Sequence, residues 1–178
     1  MNLAPEVETN RLILRAHRAG DLAACAAMWA DPVVVRHIGG APSTLQATWF
    51  RILRYGGMWP LLGYGYWAVE EKTSGRFIGE LGFADFKREM QPSISGIPEF
   101  GWVLASAFHG KGYATESMRA AVAWSDKHIE APLTVCIIDP QNVASVRVAQ
   151  KTGYVEKVRS SLGGEETILF ERARLLDS

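Results

Sequence analysis

A mixed α/β fold in one domain (residues 1–178) is predicted from three observations on this chain. Its 178 residues, 48% hydrophobic and 21% charged, suit one full hydrophobic core and argue against disorder. Strand-like apolar runs cluster as an antiparallel meander in the first half and pass into one β-α-β-α succession after residue 97. No internal repeat, low-complexity tract or linker divides the sequence.

The opening, Met1-Asn2-Leu3-Ala4-Pro5-Glu6, has neither a basic region nor an apolar run and does not read as a secretory leader. Arg11 to Arg15, with Leu12 and Leu14, reads as a first strand. Asp21 caps a helix to about Ala30, closed by Asp31-Pro32, because the residue before a proline disfavours the helical region. Ser43-Thr44-Leu45-Gln46 has capping-box spacing and starts a second helix to about Tyr55, with Gly56-Gly57 expected to end it. Tyr64 to Val69 and Arg76 to Phe86 read as strands flanking the polar turn Glu71-Lys72-Thr73-Ser74-Gly75. Ile97 to Leu104 is apolar on both faces, which belongs at a sheet centre. A helix follows from Gly112 to about Lys127, then a buried strand Leu133 to Ile138. Asp139-Pro140-Gln141-Asn142 turns into a helix through Lys151, closed by Gly153. Thr167 to Phe170 offers a last strand.

Lys plus Arg and Asp plus Glu are 19 each, so no charge excess supports a nucleic-acid or anionic-membrane partner. No segment approaches the roughly 20 apolar residues of a membrane span, and a cytoplasmic location is expected. Cys25 and Cys136 lack metal-ligand spacing and sit in apolar neighbourhoods, as buried free thiols. His17, His37 and His128 share no close spacing, so no metal site is expected.

The most informative stretch is Phe108-His109-Gly110-Lys111-Gly112-Tyr113-Ala114-Thr115-Glu116. A glycine-rich turn that opens a helix exposes several backbone N–H groups with the positive end of the helix dipole behind them, a phosphate site needing little from side chains. The dinucleotide pattern G-x-G-x-x-G and the P-loop pattern G-x-x-x-x-G-K-[ST] are both absent, which weighs against a protein that binds NAD or ATP here.

The spacing His109-x-x-Gly112-x-Ala114, after a buried strand and before an amphipathic helix, resembles motif A (Gln/Arg-x-x-Gly-x-Gly/Ala) of the GCN5-related N-acetyltransferases, or GNAT family. The similarity extends to Glu8-Thr9-Asn10-Arg11-Leu12-Ile13-Leu14-Arg15, Gly75-Arg76-Phe77-Ile78-Gly79, Glu99-Phe100-Gly101-Trp102-Val103-Leu104, and Asn142 to Arg147 followed by Lys151-Thr152-Gly153-Tyr154. Together these resemble the ribosomal-protein-acetyltransferase-like (RimJ/RimL-type) branch. His109 departs from the motif, standing where Gln or Arg is usual, and weakened side-chain help is expected there.

The resemblance implies a twisted, mostly antiparallel sheet of six to seven strands with splayed fourth and fifth strands, flanked by about four helices. It implies acetyl-CoA as donor, with the N–H groups of His109, Gly110, Lys111, Gly112, Tyr113 and Ala114 on the pyrophosphate and Lys111 adding charge. The pantetheine arm would follow the edge at Trp102, Val103 and Leu104, with an N–H near Val103 polarising the thioester carbonyl. Asn142 serves either as an N-cap or as an amide contact to the cofactor arm, or both. Ser145 is implied as the group that protonates the leaving thiolate, with Tyr154 its rival despite a position that suits core packing. For the base, Glu99 comes first and Glu80 second: a carboxylate on an apolar strand face has a raised pKa unless a partner such as Arg76 or Arg54 holds it. A bound water remains an alternative.

Trp49, Trp59 and Trp67 surround Gly56-Gly57-Met58-Trp59-Pro60-Leu61-Leu62-Gly63, expected as an apolar loop walling the acceptor pocket. Arg36, Arg51 and Arg54 either face an acidic acceptor group or are solvated. The leading expectation is direct acetyl transfer to a primary amine, of a protein N-terminus or of a small molecule, since neither cysteine sits in a nucleophile setting. A non-catalytic acyl-CoA-binding module is the alternative, and the family makes a homodimer an open possibility.

Overall fold

In the computed structural model, which describes residues 4–175, one eight-stranded sheet runs in the order β1-β2-β3-β4-β5-β6-β8-β7. The strands are β1 (Val7–Glu8), β2 (Leu12–Arg15), β3 (Tyr66–Glu71), β4 (Arg76–Ala84), β5 (Glu99–Leu104), β6 (Leu133–Ile138), β7 (Val155–Leu162) and β8 (Glu165–Ala173). The helices are α1 (Leu22–Ala30), the short α2 (Pro32–Val35), α3 (Leu45–Leu62), α4 (Tyr113–His128) and α5 (Val143–Lys151). Neighbouring strands pair antiparallel except β5 and β6. Residues 1–3, part of the opening read against a leader, lie outside the described chain. Among the described residues no helix is long and apolar enough to cross a membrane.

Alternation along β4 and β5 sorts the two sheet faces. Leu81, Phe83, Phe100 and Leu104 pack with Met118, Ala121 and Val122 of α4. On the opposite face Val103 packs with Cys25, Met28 and Trp29 of α1 and Ile52 of α3. Cys25 and Cys136 are buried free thiols, and burial pushes both up from the usual thiol range.

Three sequence expectations are corrected. First, α3 does not stop at Gly56-Gly57; it runs through Pro60 to Leu62 and ends at Gly63 in the left-handed conformation, φ 76°. The two glycines cost about 1 kcal/mol each in a helix interior and Pro60 about 3. Burial of Tyr55, Met58 and Trp59 offsets this at about 1.5–3 kcal/mol per large side chain. The expected acceptor-wall loop is therefore helix, and Trp59 points into the core, packed edge-on against Trp67 and Trp124. Second, the sheet has eight strands because neither the two-residue β1 nor the longer β7 was anticipated. Most residues of β7 are exposed, so no buried face writes an alternating pattern. Third, β8 is nine residues long, well beyond the expected 167–170.

Candidate active site

The glycine turn is built so that its donors stay open. A short 3-10 turn (Ser106–Phe108) follows β5, Gly110 and Gly112 take φ of 73° and 80°, and α4 begins at Tyr113. A side chain at either glycine would be strained. His109 N–H donates to Ser106 O at 3.0 Å and Glu116 N–H to Gly112 O at 3.0 Å. Between them, the N–H groups of residues 110–115 meet no acceptor among the described residues, and the N-cap, Gly112, has no side chain to offer one.

Residues roughly 100 positions earlier brace this turn. Arg11 Nε donates to Glu116 Oε2 at 2.7 Å and Arg11 Nη1 to Lys111 O at 3.0 Å, while the guanidinium sits 4.3 Å over the Tyr113 ring. The Thr9 hydroxyl donates to Glu116 Oε1 at 2.6 Å, and the Tyr113 hydroxyl donates to Glu71. Burial would raise the Glu116 carboxyl, but the bonds from Thr9 and Arg11 outweigh it and hold it below its ordinary value. His109 Nε2 donates to Leu104 O at 2.8 Å, tying the turn to the end of β5. Lys111 Nζ lies 5.1 Å over the Phe108 ring. Thr9, Arg11, Glu71 and Glu116 were not anticipated as supports; nothing local in the sequence links them to the turn.

Beside the turn β5 has one unpaired edge. The β4–β5 register pairs Glu80 with Val103, and Ala105 N–H donates to Ile78 O at 2.9 Å. That phase turns the backbone groups of residues 101, 103 and 105 toward β4 and those of 100, 102 and 104 away. On the far side, β6 meets β5 only at Glu99–Val135, with Val135 N–H on Pro98 O at 3.0 Å. The Trp102 N–H therefore faces the gap. The Val103 N–H belongs to the β4 ladder, so the polarising donor expected near Val103 is that of Trp102.

A cleft of about 710 Å³ includes this gap. One wall holds Trp102, Val103, Ile137, Ile138, Asp139, Asn142 and Ser145. Asn142 Oδ1 accepts the Ser145 N–H at 3.1 Å, the N-cap geometry expected of it, and half-buried Ser145 lines the cleft. The other wall holds Trp29, Arg51 and Arg54, Tyr55, Tyr66, Phe86, Arg88 and Glu99. The Arg51 guanidinium lies 3.7 Å over the Trp29 ring, and that of Arg54 lies 5.6 Å over Tyr55 and 5.4 Å over Phe86.

The two carboxylates differ. Glu99, 4% exposed, lines the cleft and is held by Arg88 through Nε–Oε2 (2.6 Å) and Nη2–Oε1 (2.8 Å), not by Arg76 or Arg54. Glu80 is fully enclosed behind the wall. It accepts from Trp29 Nε1 (2.9 Å), the Tyr55 hydroxyl (2.9 Å) and the Cys25 thiol (3.3 Å), with His17 Nε2 at 3.5 Å. Burial alone would raise its pKa as anticipated. His17, Trp29 and Tyr55 outweigh burial and hold it below the ordinary range. Tyr154 is 2% exposed, its hydroxyl 2.7 Å from the Thr134 hydroxyl and its ring stacked at 6.2 Å on Phe100; burial pushes the phenol up. It packs in the core and does not border the cleft.

Residues 11–155 match the family model described as acetyltransferase (GNAT) domain. The protein YkkB of Bacillus subtilis (strain 168) is 29% identical over 158 residues, covering 86% of this chain and 87% of its own length. An acetyltransferase from Agrobacterium tumefaciens str. C58 superposes with a TM-score of 0.79 at 26% identity, over 94% of each chain. RimL, a ribosomal L7/L12 α-N-protein acetyltransferase solved in complex with coenzyme A, has the same fold: TM-score 0.78 at 16% identity, over 97% of this chain and 100% of that one. With a glycine turn of open donors beside a parted strand pair, and a family match across most of its length, this chain belongs to the GNAT acetyltransferase family.

Proposed function

We propose that the protein transfers an acetyl group from acetyl-CoA directly to a primary amine that enters the cleft from the α1/α3 side. One observation carries this reading: the gap between β5 and β6 runs from the Trp102 N–H to a turn with six unspent backbone N–H groups. That arrangement fits a ligand with an extended amide-bearing arm and a pyrophosphate, and the RimL structure with coenzyme A supports it by likeness of fold. The open N–H groups of residues 110–115 would bind the pyrophosphate, with Lys111 adding charge; the His109 N–H, expected among them, is spent on Ser106 O, and His109 would only shape the turn. Trp102, Val103 and Leu104 would border the arm, with the Asn142 amide beside it.

Acetyl-CoA, when bound, supplies a thioester whose acyl carbon is the electrophile. The Trp102 N–H polarises its carbonyl. The amine nitrogen forms the new C–N bond as the C–S bond breaks, and the sulfur leaves with the electron pair. Ser145, lining the cleft, gives the thiolate a proton; Tyr154, held by Thr134 away from the cleft, is the less apt donor. Glu99, at the cleft and paired with Arg88, or a water beside it, takes the amine proton. Glu80 is a positioning residue for Trp29 and Tyr55. Arg51 and Arg54 favour an acceptor that carries an anionic group near its amine, whether an acidic protein N-terminus or a small molecule.

The test is thiol release from acetyl-CoA against N-terminal peptides, amino acids, polyamines and aminoglycosides. Release stimulated by one class supports the reading and names the acceptor. Calorimetric binding of CoA with no stimulated release favours a non-catalytic acyl-CoA-binding module instead. Ser145→Ala, Glu99→Gln and Tyr154→Phe then assign the roles: an enzyme loses turnover in the first two and keeps its CoA affinity.

A further inference from the structure

Tyr66, at the start of β3, is 6% exposed, lines the cleft, and has no hydrogen-bond partner for its hydroxyl among the described residues. Its ring cannot swing freely. It stacks on Tyr55 at 4.4 Å and 1°, leans on Phe86 at 6.3 Å, and Tyr55 is itself pinned by Glu80. The hydroxyl stands over Gly101. A Cβ built at Gly101 would collide with the Tyr66 oxygen and come within 3.3 Å of Tyr66 Cζ. No left-handed backbone explains a glycine at 101, and glycine inside a strand weakens it unless another group must come close. Here the approaching group is a phenol hydroxyl, one residue before Trp102 and its open N–H.

Resting on the acetyltransferase reading above, we infer that Tyr66 is a catalytic residue whose hydroxyl oxygen accepts a hydrogen bond from the acceptor amine and aims the amine's lone pair at the acyl carbon. Two donor-acceptor jobs meet at this point of β5. The Trp102 N–H lies in the sheet plane and serves the carbonyl, whereas the Tyr66 hydroxyl lies on the face covered by α1 and α3, where the amine arrives. As the nitrogen bonds to carbon it gains positive charge, so its N–H bond to the phenol oxygen strengthens in the transition state over the ground state. Burial, then the Glu99 and Glu80 carboxylates, push the phenol up, so it keeps its proton throughout. Tyr66 is neither base nor acid. The amine proton goes to Glu99 or water, and the sulfur leaves with the C–S electron pair.

Tyr66→Phe removes the oxygen and keeps the stacked ring. The probe is acetyl-CoA with the amine of the panel that the wild-type protein acetylates fastest. The expected result is a fall of about 10- to 100-fold in kcat/KM for the amine. CoA affinity by calorimetry and acceptor-free hydrolysis of acetyl-CoA should stay within about twofold. Gly101→Ala keeps the phenol but displaces its oxygen, and should show the same selective loss. Unchanged transfer in Tyr66→Phe, or hydrolysis falling in step with transfer, overturns the inference while leaving the enzyme intact. Absence of amine-stimulated release in the wild-type protein overturns both this inference and the acetyltransferase reading.

Discussion

The two walls of the cleft are made of different material. The wall that ends in the glycine turn offers mainly backbone: six N–H groups at the head of α4 and those of Trp102 and Leu104 at the open edge of β5. The wall under α1 and α3 offers side chains from five segments, with Trp29, Tyr55 and Tyr66 ordered around one enclosed carboxylate. Backbone donors are set by conformation and tolerate changes of side chain. A wall of side chains depends on every partner in its network. The first wall should accordingly resist substitutions that disable the second.

The largest effect should come from Glu80. Glu80→Ala leaves Trp29, Tyr55 and Cys25 without their shared acceptor and His17 without its neighbouring carboxylate, and should cost about 3–5 kcal/mol of stability in urea unfolding. Acid unfolding sharpens the point. The Glu80 carboxyl is depressed in the folded state, so its stabilisation is present above the unfolded value of about 4.3 and is lost as pH falls below it. Glu80→Gln should therefore flatten the acid limb of the stability profile below about pH 4.3, with CoA affinity at neutral pH unchanged.

Next comes Trp102→Pro, which deletes an N–H of β5 that faces the gap without removing a β4–β5 ladder bond. Turnover should fall by roughly 10²- to 10³-fold, the usual loss for one donor to a developing oxyanion. A smaller fall would mean that the backbone wall does not polarise the carbonyl. Glu116→Ala frees Arg11 and Thr9 from the turn and should weaken CoA binding by about 1 kcal/mol in calorimetry, given its partly exposed ion pair. The smallest effect is expected for Arg51→Gln and Arg54→Gln. Each should raise KM a few-fold for an acceptor with a carboxylate and leave the matching amide unaffected. An equal rise for both acceptors would assign the two arginines to shape alone.

The same contrast explains what could be read from the sequence. Gly110 and Gly112 are written into the chain because their backbone angles demand glycine, and Asn142 because it caps α5. The two-sided apolar run of β5 likewise marked a central strand. Tyr66 left no such mark: its partners Tyr55 and Phe86 lie outside its own strand, and its relation to Gly101 exists only after β3, β4 and β5 pair. Glu80 was correctly singled out as an acid on a buried face, but its donors sit on α1 and α3 and in the segment before α1, so the direction of its pKa was misjudged. In α3, local glycine and proline signals were outweighed by burial that no local window contains.

The single bridge between β5 and β6 also has a thermodynamic side. It leaves the sheet as five strands and three strands joined at one rung. A ligand arm lying in the gap would act as a missing strand, and its binding energy would add to folding energy by mass action. At 100 times its dissociation constant such a ligand contributes about 2.7 kcal/mol. Melting temperature should then climb with the logarithm of acetyl-CoA concentration, so that in a cell the abundance of the folded enzyme would follow the supply of its own acyl donor.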